Sequence, residues 1–169
     1  IKNVDQIIEN ISNLKNPKGR FDLINFKTNK IIVDYAHTPE SISQVIKYVN
    51  PYFSKVVVLF GAGGNRDKEK RKLMGTASQL ADSVIVTNDN PRNEDPIQIS
   101  NDILKGCDLS KTTVILDRKE AITSAINELK ENSVLLVLGK GHEMYQEINN
   151  SHIPFNDNDF INETIGGLI

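Results

Sequence analysis

Four short apolar runs, separated by stretches with helical periodicity, constrain the fold of this chain of 169 residues more than any other feature. Each run comes just before a polar or glycine-rich segment, and the four are Ile31–Val33, Lys55–Phe60, Val84–Val86 and Val134–Leu138. Uninterrupted apolar runs of this length are typical of strands that are buried on both faces of a sheet. Because helical stretches separate them, the sequence predicts an α/β fold with a Rossmann-like, doubly wound, mainly parallel sheet.

Further elements are predicted near the two ends of the chain. Alternating residues over 23–26 predict another strand, which is followed by a turn at Asn29-Lys30. Residues 145–155 predict a C-terminal hairpin, and Asn156 or Asp157 is expected to cap a last short helix. Residues 3–14 place apolar side chains at helical spacing, so we expect one amphipathic helix there.

The composition is that of an ordinary soluble globular domain, with 38% hydrophobic and 25% charged residues. The net charge of -2 disfavours binding to nucleic acid or to an anionic membrane, since such proteins usually carry clustered positive charge. Cys107 is the only cysteine, and no leader or membrane-spanning run is present, so a cytoplasmic location is expected. The chain begins at Ile1, which suggests a fragment or a processed product.

The polar loops that follow the four apolar runs are the candidate binding site. In an open parallel sheet, ligands bind beyond the carboxyl ends of the strands, and these ends lie at one edge of the sheet. We therefore expect the polar and glycine residues of the four loops to meet in one cleft. They are Asp34, His37, Arg66, Asp89, Asn90, Arg92, Gly139 and Glu143.

The loop Thr87–Arg92 has the chemistry of a site for a zwitterion. Arg92 offers a planar fork for a carboxylate or phosphate, and Asp89 offers an acceptor for an ammonium group. Pro91 fixes its own φ angle and favours an extended conformation at Asn90, which would hold the two charges apart. A plain alternative stays open, in which Asp89 and Asn90 only form a turn and Arg92 is solvated.

The glycine-rich loop Gly61–Asp67 is the second candidate. Its glycines allow the backbone to approach a ligand, and the helix expected after it could bind an anion at its N-terminus. Arg66 stands where a dinucleotide-binding motif needs its third glycine, so we do not expect a nicotinamide or flavin site. The basic run at residues 68–72 is interpreted mainly as a solvated helix face.

The loop that begins at Asp34 is the third candidate. Thr38 and Pro39 are suited to start a helix, so the loop brings Asp34 and His37 to the end of a strand. Asp34 could accept hydrogen bonds from a ribose, and His37 could lie near a base or a phosphate. The alternative is that Asp34 caps the backbone and His37 only packs.

Taken in order, the motifs of the chain resemble the C-terminal domain of the Mur ligases, over about residues 19–157. The motifs are Asp34-Tyr35-Ala36-His37-Thr38-Pro39, Gly61-Ala62-Gly63-Gly64-Asn65-Arg66-Asp67, Asp89-Asn90-Pro91-Arg92, Asp117-Arg118 and Gly139-Lys140-Gly141-His142-Glu143. The resemblance is strongest to the members that add meso-diaminopimelate. It implies ATP-dependent amide formation, in which ATP phosphorylates the D-glutamate carboxylate of UDP-MurNAc-L-Ala-D-Glu and the incoming amine attacks the acyl phosphate.

The resemblance also implies roles for individual residues. Asp89, Asn90, Pro91 and Arg92 match the loop that recognises diaminopimelate, and the family's other contacts to this substrate match Arg66, Gly139 and Glu143. Arg20, Asp34 and His37 match positions that approach ATP. Lysine lacks the distal carboxylate of diaminopimelate, so a cleft with poorly paired arginines would disfavour lysine by about 2–5 kcal/mol.

The chain lacks other parts of a complete Mur ligase. No phosphate-binding loop G-x-x-x-x-G-K-[ST] is present, so we expect no catalytic residues and no metal ligands in this chain. The Mg²⁺ ligands, the ATPase site and the UDP-sugar site are expected in N-terminal and central domains. Residues 1–17 are then expected to be the last helix of the central domain, and residues 18–169 the C-terminal domain, inactive alone.

Two alternatives remain open. A stand-alone, non-catalytic module that binds a zwitterionic amino acid or a nucleotide would carry the same loops. A folate polyglutamate ligase domain would share the fold, although the pairing of the Asp89–Arg92 loop with Lys140–Glu143 argues against it.

Overall fold

The computed structural model describes residues 17–168. The helix expected at residues 3–14, and with it nearly all of the expected remnant 1–17, lies outside this range. The strands are β1 Asp22–Phe26, β2 Asn29–Asp34, β3 Lys55–Phe60, β4 Ser83–Val86, β5 Thr112–Val114, β6 Ser133–Leu138, β7 Tyr145–Ile148 and β8 Ser151–Pro154. The helices are α1 Pro39–Val49, α2 Glu69–Ser78, α3 Pro96–Leu104, α4 Arg118–Asn127 and α5 Asp157–Gly166.

Six strands form one sheet in the order β1-β2-β6-β3-β4-β5, and β7 pairs with β8 as a separate hairpin. Only β1 is antiparallel to its neighbour within the sheet, because β1 and β2 are joined by a tight turn. The other four pairings are parallel. The predicted α/β class, the mainly parallel sheet and the C-terminal hairpin are therefore confirmed.

Helices cover both faces of the sheet, as the doubly wound prediction requires. Ile46 of α1, Met74 of α2 and Ile103 of α3 pack in one core cluster with inward side chains of the strands. On the opposite face, Ile122 of α4 and Ile161 of α5 pack in a second cluster. The central strands carry apolar side chains on both faces, which explains why β3 and β6 are uninterrupted apolar runs.

The starts of α1, α3, α4 and α5 are fixed by capping side chains, whereas Lys68 before α2 makes no such cap. Thr38 accepts from Ser41 N before α1 in a reciprocal capping box, and Pro39 is the first helical residue. Asp117 accepts from two backbone N–H groups before α4, and Asn156 accepts from Asp159 N before α5. These caps satisfy N–H groups that have no partner within the helix, and they set where each loop ends.

The predicted turn at Asn29 and Lys30 is wrong. Both residues belong to β2, and the turn lies at residues 27–28, where Lys27 has a φ of +52°. Asn29 is buried, and its Oδ1 accepts from Ser133 N at 2.9 Å, which ties β2 to the start of β6. β5 is a short and largely exposed edge strand that ends at Val114.

Candidate functional site

A cleft of about 300 Å³ opens at the carboxyl edge of the sheet. It lies beyond β2, β6, β3 and β4, which are neighbours in the sheet, so their four loops meet there. Seven of the predicted site residues line the cleft: His37, Arg66, Asp89, Asn90, Arg92, Gly139 and Glu143. The structure places Arg20, Asp34 and Pro91 outside this lining.

Asp89 is the buried carboxylate of the cleft. The residue is only 9% exposed, and no donor within residues 17–168 bonds its carboxylate oxygens. Burial raises the pKa of Asp89 above its ordinary range, although the positive charges of Lys140 and Arg118 oppose the shift. Asp89 therefore faces the cleft as an acceptor that lacks a bonded counter-charge.

Lys140 organises the floor of the cleft. It is fully buried, and its ammonium donates to Asn90 Oδ1 at 3.0 Å, Glu143 Oε2 at 2.7 Å and the carbonyl of Tyr145 at 2.7 Å. These three acceptors belong to the loop after β4, the loop after β6 and the hairpin. Because a buried ammonium needs all its hydrogen bonds, Lys140 holds the three segments together.

Glu143 is the second carboxylate of the cleft. Its Oε2 accepts from both Lys140 and Asn90 Nδ2, the latter at 2.8 Å. Burial opposes its ionisation, but the hydrogen bonds from Lys140 and Asn90 outweigh burial and hold the pKa of Glu143 below its ordinary range. Glu143 is thus a fixed negative charge, and its Oε1 has no donor among the described residues.

Arg92 is held by two neighbours. Its Nε donates to Glu147 Oε2 at 2.8 Å, and its Nη1 donates to the carbonyl of Gly64 at 2.9 Å. Its φ of +53° lies in the left-handed region, which a non-glycine residue seldom adopts. The alternative in which Arg92 is merely solvated is therefore wrong for this structure.

The glycine loop packs directly against the Asp89–Arg92 loop. Gly64 N donates to the carbonyl of Asn90 at 2.9 Å, and a Cβ at Gly64 would overlap the carbonyl oxygen of Pro91. Arg66 projects from this loop as an exposed side chain with no ion-pair partner in residues 17–168, and it lines the cleft. The two loops thus place one paired and one unpaired guanidinium on the same wall.

The interpretation of residues 68–72 as a solvated face is wrong for Arg71. Arg71 is fully buried, and its guanidinium bonds Glu94 at 3.0 Å, Asp102 at 3.2 Å and the carbonyl of Gly63 at 3.3 Å. The hydrogen bond from Arg71 is the main reason that the pKa of Glu94 lies below its ordinary range. Arg71 therefore anchors the glycine loop rather than facing solvent.

An aromatic and cationic surface adjoins the cleft at Tyr35. The guanidinium of Arg20 lies 4.6 Å from the centre of the Tyr35 ring, and the rings of His37 and His142 lie 4.6 and 5.4 Å from it. His37 Nδ1 lies 2.8 Å from the carbonyl of Tyr35 and must carry the proton, since a carbonyl only accepts. The Nε2 atom of His37 is then the ring nitrogen left for a ligand.

Asp34 has a structural role in this loop. Its two carboxylate oxygens accept from Ala36 N and Phe21 N, each at 2.8 Å. The two hydrogen bonds fix the start of the loop that carries His37. A contact between Asp34 and a ribose stays a prediction, as do the nucleotide contacts of Arg20 and His37.

Arg118 is a positioning residue to which the sequence assigned no role, although it belongs to the Asp117-Arg118 motif. It is buried, its fork bonds both oxygens of Asp157 at 2.8 Å, and it also donates to the carbonyls of Asn88 and Leu138 at 3.3 and 3.1 Å. It thereby joins α5 to the ends of β4 and β6, beneath Asp89. The Asp117-Arg118 motif and the position directly after the cap Asp117 were the available signals, and neither indicates burial.

The comparison with protein families identifies the chain. Residues 19–141 match the family described as "Mur ligase, glutamate ligase domain". The chain belongs to the Mur ligase family. The order of motifs in the sequence agrees with this membership.

Curated relatives and solved structures agree with this membership. The chain is 45% identical over 165 residues to UDP-N-acetylmuramoyl-L-alanyl-D-glutamate--2,6-diaminopimelate ligase of Rickettsia montanensis. The aligned region covers 95% of this chain and 34% of the relative. A solved structure of a ligase with the same name superimposes with a TM-score of 0.86 at 36% identity, over 98% of this chain and 35% of that one. The chain thus spans about a third of the length of these relatives.

Folylpolyglutamate synthase of Thermotoga maritima is a more distant neighbour. It is 25% identical, and it superimposes with a TM-score of 0.56 over 81% of this chain and 31% of that one. The shared fold therefore extends to folate ligases, while both identity and superposition are higher for the diaminopimelate ligase.

In the part of the chain from 17 to 168, no group of three or more His, Cys, Asp or Glu side chains is placed to hold a metal ion. None of the helices found there has the length and apolar character needed to cross a membrane.

Proposed function

We propose that this chain is the amino-acid- and nucleotide-contacting C-terminal domain of an ATP-dependent ligase. The ligase joins meso-diaminopimelate to UDP-MurNAc-L-Ala-D-Glu in peptidoglycan synthesis, in the bacterial cytoplasm. One observation carries this proposal: two carboxylates and two guanidinium groups line a single cleft of about 300 Å³, in a chain that matches a diaminopimelate ligase over 95% of its length.

The charges of the cleft suit the distal end of diaminopimelate. That end carries a carboxylate and an ammonium group on one carbon. Asp89 and Glu143 each offer an oxygen that no described residue bonds, so they are acceptors for the ammonium. Arg66 and Arg92 are donors for the carboxylate, and Asn90 and Gly139 shape the wall between the two groups.

The same charges disfavour lysine, whose distal end has no carboxylate. Both arginines lose water without gaining a carboxylate partner when the cleft closes around lysine, and Glu147 compensates Arg92 only in part. We expect a discrimination of about 2 kcal/mol, the lower end of the range expected from the sequence.

The surface at Tyr35 is the proposed nucleotide contact. Arg20 supplies a cation for phosphates, and His37 supplies a ring nitrogen that can accept a hydrogen bond. A planar base could stack beside these rings. In this proposal ATP supplies the phosphoryl group that activates the D-glutamate carboxylate, while this domain holds and orients the amino acid whose amine attacks.

The remaining parts of the ligase are assigned to other domains of the same polypeptide. We propose that residues 18–169 form the C-terminal domain and that residues 1–17 belong to the last helix of a central domain. The Mg²⁺ ligands, the ATPase site and the UDP-sugar site would lie in the central and N-terminal domains. The domain is expected to be inactive alone, because each of its sites is completed by closure of the others around the substrates.

Calorimetric titration of the parent polypeptide tests the proposal. Meso-diaminopimelate and L-lysine are each added in the presence of a non-hydrolysable ATP analogue and the UDP-dipeptide. We expect lysine to bind at least about thirtyfold more weakly than diaminopimelate, which corresponds to about 2 kcal/mol.

Two variants sharpen this test. Arg92→Ala should narrow the difference between the two amino acids, whereas Lys47→Ala, on the exposed side of α1, should leave it unchanged. Equal binding of the two amino acids by the unaltered protein would refute the proposed substrate and leave only membership of the ligase family.

A further inference from the structure

Glu147 of β7 lies beside the cleft and contacts Arg92. We propose that Glu147 is the positioning residue that orients the Arg92 guanidinium, and that it thereby sets the preference for an amino acid with a distal carboxylate. The inference rests on the proposed function, since it concerns recognition of the same ligand. It assigns a role to the hairpin β7–β8, which lies outside the family match that ends at residue 141.

The hairpin first fixes the backbone of Arg92. Arg92 N donates to the carbonyl of Glu147 at 2.9 Å, and Asn149 N donates to the carbonyl of Arg92 at 2.8 Å. These bonds form an isolated bridge between Arg92 and Ile148. A left-handed conformation at a non-glycine residue persists only where its surroundings determine it, and these two bonds provide that determination.

The hairpin also fixes the side chain of Arg92. Glu147 Oε2 accepts a hydrogen bond from Nε at 2.8 Å, and the carbonyl oxygen of Gly64 accepts one from Nη1 at 2.9 Å. The guanidinium is therefore held from the hairpin on one side and from the glycine loop on the other. With Nε occupied, a ligand carboxylate has access to Nη2 and to the second N–H of Nη1, so it must approach the guanidinium end-on.

Two effects of Glu147 oppose each other. Its negative charge repels a ligand carboxylate, which would weaken binding. Its hydrogen bond removes the rotational freedom of a long side chain before the ligand arrives, which would strengthen binding. Glu147 bonds the Nε atom rather than the free Nη2, and its side chain is 26% exposed, so solvent screens the repulsion. We therefore infer that orientation outweighs repulsion.

Steady-state kinetics of the parent polypeptide tests this role. Glu147→Ala should raise the KM for meso-diaminopimelate about tenfold, with kcat and the KM for ATP within about twofold of the unaltered enzyme. Glu147→Gln should recover much of the loss, because its amide oxygen still accepts from Nε. Glu131→Gln, at an exposed carboxylate far from the cleft, is the matched control and should change neither constant.

A double variant separates positioning from a general structural effect. Once Arg92→Ala has removed the guanidinium, Glu147→Ala should add no further change to the KM for diaminopimelate, since it has nothing left to orient. A merely structural role would instead lower activity equally in both backgrounds and would raise the KM for ATP as well.

The outcomes distinguish this proposal from the proposed function. If the unaltered enzyme prefers diaminopimelate to lysine but Glu147→Ala leaves its KM unchanged or lowers it, the positioning role is wrong and the proposed function stands. The same conclusion follows if the effect of Glu147→Ala persists in the Arg92→Ala background. If the unaltered enzyme does not use diaminopimelate, the proposed function fails and this inference fails with it.

Discussion

The side chain of Asp89 occupies the space that a side chain at position 139 would need. A Cβ atom at Gly139 would lie 2.6 Å from Asp89 Oδ2, and the φ of Gly139 is +109°, a conformation that L residues rarely adopt. The loop after β4 thus comes so close to the end of β6 that the Asp89 carboxylate packs against the backbone of Gly139. The absence of a side chain at Gly139 therefore leaves room for the Asp89 carboxylate, and adding one methyl group at this position should displace it.

Gly139→Ala should destabilise the fold and weaken amino-acid binding together. The strained φ and the displaced Asp89 carboxylate should cost about 1–3 kcal/mol. Urea unfolding of this chain measures the cost, and titration of the parent polypeptide measures binding. Gly166→Ala is the matched control, because a Cβ at Gly166 meets no atom within 4 Å and should change stability by at most about 1 kcal/mol, in the stabilising direction. Equal losses in the two variants would contradict this explanation.

The stability of the chain should carry a pH dependence that belongs to Asp89. Burial raises the pKa of Asp89, Lys140 and Arg118 oppose the shift, and Glu143 and Asp157 add to it. A raised pKa in the folded state contributes stability that is fully present below the ordinary pKa of aspartate and is lost as pH rises through the folded value. Each tenfold reduction in the acid dissociation constant corresponds to about 1.4 kcal/mol of this loss.

Urea unfolding of the unaltered chain and of Asp89→Asn, at a series of pH values, checks this sign. The stability of the unaltered chain relative to Asp89→Asn should fall as pH rises above the ordinary range of an aspartate. Asp108→Asn is a control of opposite sign, because hydrogen bonds from the hydroxyl and the amide of Ser110 lower the pKa of Asp108. Its contribution should be present above the ordinary pKa and be lost as pH falls through the lowered value. Parallel curves for the two variants would refute the assignment to Asp89.

Lys140→Met should be among the most destabilising substitutions at this site. Methionine fills a similar volume, but it leaves Asn90, Glu143 and the carbonyl of Tyr145 without their shared donor. Removing one partner of a buried charge network costs about 3–5 kcal/mol. The free energy of unfolding in urea measures this cost.

The matched control for this substitution is Lys130→Met. Lys130 is exposed, so its replacement should change the free energy of unfolding by no more than about 0.5 kcal/mol. The Lys140→Met variant should also show a higher pKa for Glu143, since the hydrogen bond from Lys140 is a main cause that holds this pKa down. A loss of stability no larger than that of the control would mean that water replaces the ammonium.

The convergence of the cleft loops could be predicted from the sequence because it depends on one rule of topology. Apolar runs that alternate with helices imply parallel strands, and parallel strands present their carboxyl ends at one edge. The order of the strands was not predictable in this way. Placing β6 between β2 and β3 requires contacts that no local pattern encodes, yet this placement brings Gly139 beside Asp89.

The buried charges of the site could not be predicted, because each depends on a partner far away in the sequence. Arg71 lies in a basic run that is typical of a solvated helix, but Glu94 and Asp102 come 23 and 31 residues later and bury it. In the same way, Asn29 is a residue type that favours turns, but it is buried in β2 because its side chain accepts a hydrogen bond from Ser133 N, 104 residues later. A charged or polar stretch of sequence predicts that its residues are exposed to solvent. Such a residue is buried only where the fold brings it a partner from a distant part of the chain.

Arg118 and Asp157 form a buried ion pair that supports the cleft from α5, and its loss should destabilise the fold. Both side chains are fully buried, and their fork-to-carboxylate contact joins α5 to the loop after β4. Asp157→Asn should cost about 3–5 kcal/mol in urea unfolding, because it leaves the Arg118 guanidinium buried without its counter-charge. Asp159→Asn, exposed in the first turn of the same helix, is the control and should cost less than about 1 kcal/mol. If Asp157→Asn unfolds at the same urea concentration as this control, α5 does not support the cleft and the buried pair has no net role in stability.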